Sequence, residues 1–376
     1  VKPKLHLENK TPNIEGKYVC IAIQSSSQCK YWNNPEGWNK VVKYLNEVGY
    51  KVVCIDKHST YGGKGILNEI PEGAINKTGD LPIQERMTDL HNCEFFIGLG
   101  SGLSWLAWGL GKEEFDKGNW TWCPQHEGTE REFECSKKIT FEMVKARIDL
   151  LRFKDLACTC DNGDWKGSFR EVVDKNVYQR HVSVEDGDYV VDLGCSLGHL
   201  YFLNKHKNIK YVGLDCVKKN LGKFSSLLTA DDDVVLMNKH VSQKEKGIVK
   251  IENNDFCHGE DTESEAISFK EILKLNNRKI DFLKFDIENA EVEFLHDDET
   301  YELLVENISK FSGELHFAGG ASVLAMTVLK KLKNDKRVSL NIHSIDGVNI
   351  TESFWYGVEE NKHNYYNEVI ISGEIL

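Results

Sequence analysis

The segment DYVVDLG at 188–194 constrains this chain more than any other. A β-branched run ends in an acid and a glycine, and CSLGHLYFL then has the apolar content of a helix. A strand that passes through glycine into a helix is the βα turn of an α/β sheet. Its glycines let a ligand approach the backbone closely, and its helix start offers unpaired N–H groups. The next strand, YVGLD at 211–215, ends in a second acid. Asp215 stands 215 − 194 = 21 residues beyond Gly194, one βαβ step. A carboxylate at that place accepts both hydroxyls of a ribose.

The same rhythm fills the rest of the chain. Strand-like runs occupy 18–24 (YVCIAIQ), 51–56 (KVVCID) and 95–99 (FFIGL). Between them Val41, Val42, Leu45 and Val48 are spaced as one helix face, and 81–93 reads as a helix with Asp80 as N-cap and Pro82 in its first turn. An apolar helix, SWLAWGLG, follows a Gly-Ser-Gly turn. Residues 112–137 break the pattern and read as a loop or small knuckle, after which 139–152 resume a helix. In the second half strands are expected near 234–238, 247–253 and 279–287, helices over 267–275 and 321–333, and a final strand in NEVIISGEI. The acidic run 231–233 reads as a solvated turn. Alternation of this kind predicts an α/β chain with parallel sheets and helices on both faces. Expected are a first domain over 1–152, a linker over 153–167 and a second domain over 168–376.

Composition narrows the function. At ~150 residues per domain, 376 residues suggest two or three domains. A net charge of −12 argues against sequence-independent duplex binding, so no nucleic acid partner is expected. No apolar run approaches the ~20 residues of a membrane span. Several of the 11 cysteines sit in strand-like runs, as Cys20 and Cys54 do. That fits reduced core thiols in a cytoplasmic protein better than a secreted disulfide framework.

The segment IDFLKFDIENAEVEFL at 280–295 places Asp286 and Glu288 at the end of a central strand. Carboxylates at that edge can hold a hydroxyl, act as a base or bind a hard cation. The series VVDLGCSLG, YVGLD, ISFKEIL, KIDFLKFDIENAE and SGELH resembles FkbM-type S-adenosylmethionine-dependent methyltransferases, over roughly 165–376. The segment LKFDIENAE is similar to the family's L-K-x-D-x-E-G-A-E, with Asn289 at the glycine. The resemblance implies a class I methyltransferase fold and O-methylation of a sugar or other hydroxylated product. Asp192, Gly194 and Gly198 would then shape the methionine side of the cofactor pocket and Asp215 would hold the ribose. Asp286, Glu288 and His316 are the expected catalytic residues, with Asp286 or His316 as the base that takes the hydroxyl proton. For His316 a purely structural role is the competing reading, and the same holds for His363.

In the first half, QSSSQCKYW follows one strand and Gly-Ser-Gly follows another. Ser25, Ser26 and Lys30 in one loop, and Ser101 and Gly102 at a helix start, suit a diphosphate. The wider string, notably FIGLGSGLSWLAW and WCP…FECSKKIT, resembles bacterial autotransporter heptosyltransferases, GT-B enzymes related to glycosyltransferase family 9, over about 10–152. This implies a donor-binding half for ADP-heptose or a similar nucleotide sugar, with Ser25, Ser26, Lys30, Ser101 and Gly102 on the phosphates and Asp80 and Gln84 near the donor. The family's acceptor half is missing and the chain starts at Val1, so a fragment is expected. Its four-cysteine iron site keeps only Cys123 and Cys135, twelve apart (135 − 123 = 12). Two thiolates do not complete a tetrahedral site, so no bound metal is expected, although Cys158 and Cys160 stand nearby in sequence.

The leading expectation is an S-adenosylmethionine-dependent O-methyltransferase fused to an incomplete GT-B donor half. The alternatives are a glycosyltransferase that glycosylates an autotransporter-type protein, its C-terminal half accessory, and a noncatalytic nucleotide-binding scaffold. The partner would be a small molecule, glycan or glycoprotein.

Overall fold

The structure is a computed structural model. It describes residues 5–26, 30–62, 67–112, 114–115, 129–131, 134–159, 168–242, 246–251, 262–275, 278–287, 290–317, 321–344, 348–359 and 368–376. The chain divides into two compact units, Val1–Lys145 and Ala146–Leu376. Both are α/β with Rossmann-like sheets, parallel in the first unit and parallel at the centre of the second, where antiparallel strands join at the edges.

In the first unit the elements are β1 (Tyr18–Ala22), α1 (Gly37–Glu47), β2 (Lys51–Cys54), β3 (Thr60–Tyr61), β4 (Asn68–Glu69), β5 (Ile75–Asn76), α2 (Ile83–Asn92), β6 (Phe96–Gly98), α3 (Gly102–Leu110), β7 (Glu114–Phe115) and α4 (Glu134–Lys137). Among the described residues the main sheet runs β5-β2-β1-β6-β7, and every pairing is parallel. All five residues of β1 are buried. This is why that strand reads as an unbroken apolar run, because both its faces are covered. The order reverses between β1 and β6, so a crevice opens beyond their carboxyl ends.

Two expectations change here. The helix near 81–93 starts at Ile83 with Pro82, not Asp80, as its N-cap. Part of 112–137 is structured, with β7 extending the sheet alongside β6 and α4 forming one turn. Two- and four-residue elements are too short to show a hydrophobic period. Residues 116–128, with Cys123, lie outside the described residues.

Helix α5 (Phe141–Thr159) follows. Residues 153–159, expected in a linker over 153–167, instead continue this helix. Phe153 is fully buried and stacks on Phe202 at 4.7 Å. The remainder of that stretch, Cys160 included, lies outside the described residues.

The second unit continues with β8 (Tyr189–Leu193), α6 (His199–Asn204), β9 (Lys210–Asp215), α7 (Lys218–Ser225), β10 (Val234–Val241), β11 (Ile248–Ile251), β12 (Thr262–Ile267), α8 (Phe269–Leu273), β13 (Ile280–Phe285), α9 (Ala290–His296), α10 (Asp298–Asn307), β14 (Ile308–His316), α11 (Ala321–Asn334), β15 (Val338–His343), α12 (Thr351–Glu359) and β16 (Glu368–Ile375). Among the described residues its sheet runs β11-β12-β10-β9-β8-β13-β14-β16-β15. Strands β10, β9, β8, β13 and β14 are mutually parallel, and β16 runs antiparallel between β14 and β15. The order reverses between β8 and β13, the switch point beyond whose carboxyl ends open α/β sheets form their ligand crevice.

The acidic run 231–233 is more than a solvated turn. The Asp232 side chain is covered and paired with Lys205 at 2.8 Å, and Lys205 also reaches Asp149 at 2.7 Å. Asp232 Oδ1 accepts from the Tyr201 hydroxyl at 2.7 Å. A local charge run hides a partner that the fold supplies from 27 residues away.

Candidate functional site

In the first unit a cleft of about 630 Å³ occupies the crevice beyond β1 and β6. Ser25, Ser26, Lys30, Ser101 and Gly102 all line it, as the sequence expects of a phosphate-facing group. Asp56, His58 and Tyr61 line it too, and none of them was singled out from sequence. His58 and Tyr61 stack at 5.5 Å and 17°. Ile83, Leu103 and Leu106 add apolar wall. Asp80 is not part of the lining, being on the surface in an ion pair with Lys57 at 3.0 Å. Gln84 also lies outside the lining and accepts from the Glu8 amide.

Asp56 shapes the cleft floor. Its carboxylate accepts from the amides of Ile23 (2.6 Å) and Gln24 (3.2 Å), fixing the turn that leaves β1. Burial pushes its pKa up to about 6 against those two amides. Behind it, the buried Arg86 guanidinium donates to the carbonyls of Lys77 (2.7 Å), Gly79 (2.9 Å) and Asp56 (3.3 Å). Arg86→Leu strips all three carbonyls of this donor in a buried setting, so the expected loss is about 3 kcal/mol of first-unit stability. Urea unfolding reads it, and a loss below about 1 kcal/mol contradicts that role for Arg86.

In the second unit the glycine turn lies at the β8–β13 crevice. Gly194 has φ +77°, and a Cβ there would lie 1.8 Å from the Asp286 carbonyl oxygen. Gly198 has φ +85°, and its Cβ would lie 2.4 Å from the Phe224 ring. Glycine is demanded at both places by conformation and by space. The amides of Gly194 and Cys195 both donate to the Leu214 carbonyl. Asp215 ties the turn to the next loop: Oδ2 accepts from the Ser196 amide at 2.8 Å and Oδ1 from the Val217 amide at 2.7 Å. Burial raises its pKa to about 6, against the two amides. Each carboxylate oxygen keeps a further lone pair for a ligand hydroxyl.

Asp192, expected to shape the cofactor pocket, has its carboxylate turned inward. It is buried beneath the turn, where Oδ2 accepts from the Tyr211 hydroxyl at 2.5 Å and Oδ1 lies 3.2 Å from Lys284 Nζ. Lys284 also donates to the Gly194 carbonyl at 2.7 Å and stands 3.8 Å from Asp286. Burial opposes its charge, yet Asp192 and Asp286 hold its pKa above the ordinary lysine value. Asp192 thus shapes the turn from below through Lys284.

At the carboxyl ends of β13 and β14, Asp286 Oδ2 accepts from the Tyr178 hydroxyl at 3.1 Å, and Glu314 Oε1 lies 2.8 Å from that tyrosine hydroxyl. Burial, then the neighbouring Asp286, pushes the Glu314 carboxyl up to about 8. His316 is 6% exposed. Its Nδ1 contacts Glu291 Oε1 at 2.7 Å, and Nε2 faces Glu314 at 3.6 Å and Glu368 at 3.7 Å. Asp286 and His316 are therefore brought together, while Glu288 and His363 lie outside the described residues. Sequence reasoning missed Tyr178, Lys284, Glu291 and Glu314 as members of this group. Glu314 carried a signal, two residues before His316 on one strand and therefore on one face.

Each unit thus presents the carboxyl edge of an α/β sheet at a switch in strand order, the place where such sheets bind ligands. Residues 2–114 match the model of glycosyltransferase family 9 (heptosyltransferase). The autotransporter heptosyltransferase Aah of Escherichia coli is 40% identical over 177 residues, covering 38% of this chain and 45% of the relative. This chain thus spans about 45% of the length of that curated relative. The iron-containing dodecameric glycosyltransferase TibC from enterotoxigenic E. coli aligns with a TM-score of 0.37 and 38% identity, over 40% of this chain and 48% of that one. An rRNA methylase from Streptococcus thermophilus aligns with a TM-score of 0.31 and 12% identity, over 56% of this chain and 95% of that one. The first unit is therefore heptosyltransferase-like in sequence. Among the described residues no helix is long and apolar enough to cross a membrane.

Proposed function

We propose that the chain is a transferase whose second unit performs S-adenosylmethionine-dependent O-methylation of a sugar or glycosylated product. Its heptosyltransferase-like first unit would bind ADP-heptose or a similar nucleotide sugar. One observation carries the methyltransferase reading. The Gly194 turn, closed so tightly that a Cβ would meet the Asp286 backbone, lies at the β8–β13 crevice with the buried Asp215 carboxylate beside it. Bound S-adenosylmethionine would supply a methyl group made electrophilic by its sulfonium. Asp215 would accept from the ribose hydroxyls, held in place by the Ser196 and Val217 amides beside the Gly194 turn. Asp286 or His316 would orient the acceptor hydroxyl and take its proton, and orientation would supply most of the rate.

The family match favours glycosyl transfer as a second reading, with the cleft beyond β1 and β6 as the donor site. Lys30 would meet the diphosphate, and the His58–Tyr61 pair with Ile83 and Leu106 would cover the base. Lys30→Ala is expected to weaken ADP binding about tenfold, the loss of one charge-assisted contact. Unchanged affinity by calorimetry would count against that placement.

A thermal-shift scan with S-adenosylhomocysteine and with ADP, each alone, tests both readings. A ligand that binds only the folded protein at ~100 times its dissociation constant adds about 2.7 kcal/mol. Both ligands are expected to raise the melting temperature. No shift with saturating S-adenosylhomocysteine would overturn the methyltransferase reading.

A further inference from the structure

The ends of β13 and β14 hold a group of side chains that cofactor binding does not use. Phe285 pairs with Gly313 in the parallel register, so Asp286 emerges beside Glu314. Glu314 and His316 alternate onto the same face of β14. On the other side, antiparallel β16 sets Glu368 opposite His316. One ligand atom each from Asp286, Glu314 and His316 lies within 4.8 Å of the others. Donor atoms that share a divalent ion at ~2.1–2.4 Å stand at most roughly 4.2–4.8 Å apart, so this spacing is that of one coordination sphere.

The imidazole supplies an observation separate from the carboxylates. His316 is more than nine-tenths buried, and its ring is oriented from behind. Glu291 Oε1 contacts Nδ1 at 2.7 Å and accepts from the His316 amide at 3.1 Å. This directs Nε2 at Glu314 and Glu368. A carboxylate holding one ring nitrogen while the other points into an oxygen-donor cluster is the arrangement that orients metal-binding histidines. Tyr178 spaces Asp286 and Glu314 by contacting both. Lys284 also borders this edge and stands closer to Asp192 (3.2 Å) than to Asp286 (3.8 Å).

We propose that Asp286, Glu314 and His316 form a divalent-cation site, with Glu368 placed to join it. Carboxylate oxygens with one imidazole suit Mn²⁺ or Mg²⁺, and the nitrogen favours Mn²⁺. The role of the site rests on the methyltransferase reading: the ion would hold and acidify the hydroxyl of a polyhydroxylated acceptor, whose proton would leave to water, and so would replace the base role given above to Asp286 or His316. Ion binding itself can be measured without that reading.

The test uses the full chain, stripped with a chelator and dialysed. Mn²⁺ is titrated while the signal of the free ion is followed by electron paramagnetic resonance. S-adenosylhomocysteine binding is measured in parallel, with chelator present. One Mn²⁺ site per chain is expected, with a dissociation constant of about 100 μM or tighter. Glu314→Gln and Asp286→Asn, each checked for native circular dichroism, should each weaken it at least tenfold. The absence of such a site in the unmodified chain, or its persistence undiminished in either folded variant, overturns the proposal. Homocysteine-ligand binding without Mn²⁺ binding sinks the cation site alone. Mn²⁺ binding without the ligand sinks the methyltransferase reading and leaves the site standing.

Discussion

Gly194→Ala is expected to lower the stability of the second unit by about 4 kcal/mol. Two effects add. At φ +77° an L-residue pays roughly 1–2 kcal/mol for the left-handed backbone. The new Cβ also meets the Asp286 carbonyl at 1.8 Å, main chain against main chain, so neither side yields by a rotamer change. Overpacking of that sort costs typically ~1–3 kcal/mol. For a unit of this size a kilocalorie shifts the melting temperature by ~2–4 °C, so a fall of about 10 °C is expected. Gly222→Ala is the control. Gly222 lies in α7 with open space where a Cβ would go, and alanine there should be neutral or stabilising by up to about 1 kcal/mol. Similar melting temperatures for the two variants would contradict the tight closure assigned to the Gly194 turn.

Asp215→Ala should reduce S-adenosylhomocysteine affinity by about 10²-fold or more. Hydrogen bonds to a charged group are worth ~1.5–3 kcal/mol each, and two ribose hydroxyls converge on this carboxylate in the proposed complex. The variant also leaves the Ser196 and Val217 amides without their acceptor, so its fold is checked by circular dichroism before binding is measured. A pH series on the unmodified chain gives the same answer without mutation. The Asp215 pKa is raised to about 6, chiefly by burial. Above that value the carboxylate is charged and accepts from the ribose. Below it the group gains a proton and loses acceptor strength, so affinity should fall as pH drops through about 6. Affinity flat between pH 5 and 8 would remove Asp215 from the binding site.

What could be read from sequence followed chain-local chemistry. The strand–turn units at 18–26, 95–102 and 188–199 are legible because an apolar run and the Ser- or Gly-rich turn that follows it lie within a few residues of one another. They led to both crevices, to the cleft residues Ser25, Lys30 and Ser101, and to Asp215. What escaped depends on register. Glu314 meets Asp286 only because β14 pairs with β13, and Tyr178 reaches both across 108 and 136 residues of chain. Lys284 lies in the motif LKFD, but its partner Asp192 is fixed by the β8–β13 pairing. Asp80 was misplaced for a related reason. An acid before Pro82 looks like a cap, yet the helix begins one residue after the proline and leaves Asp80 with Lys57. Short elements such as β7, and helices such as α10 and α12, gave too little periodicity to stand out.

The central claim is that the β8–β13 crevice of the second unit binds an S-adenosyl ligand. Titration calorimetry of the full chain with S-adenosylhomocysteine at pH 7.5 tests it most directly. One saturable site per chain is expected, with the ligand displaced by sinefungin, an analogue with the same adenosine. A folded chain that takes up no S-adenosylhomocysteine at millimolar ligand would contradict it.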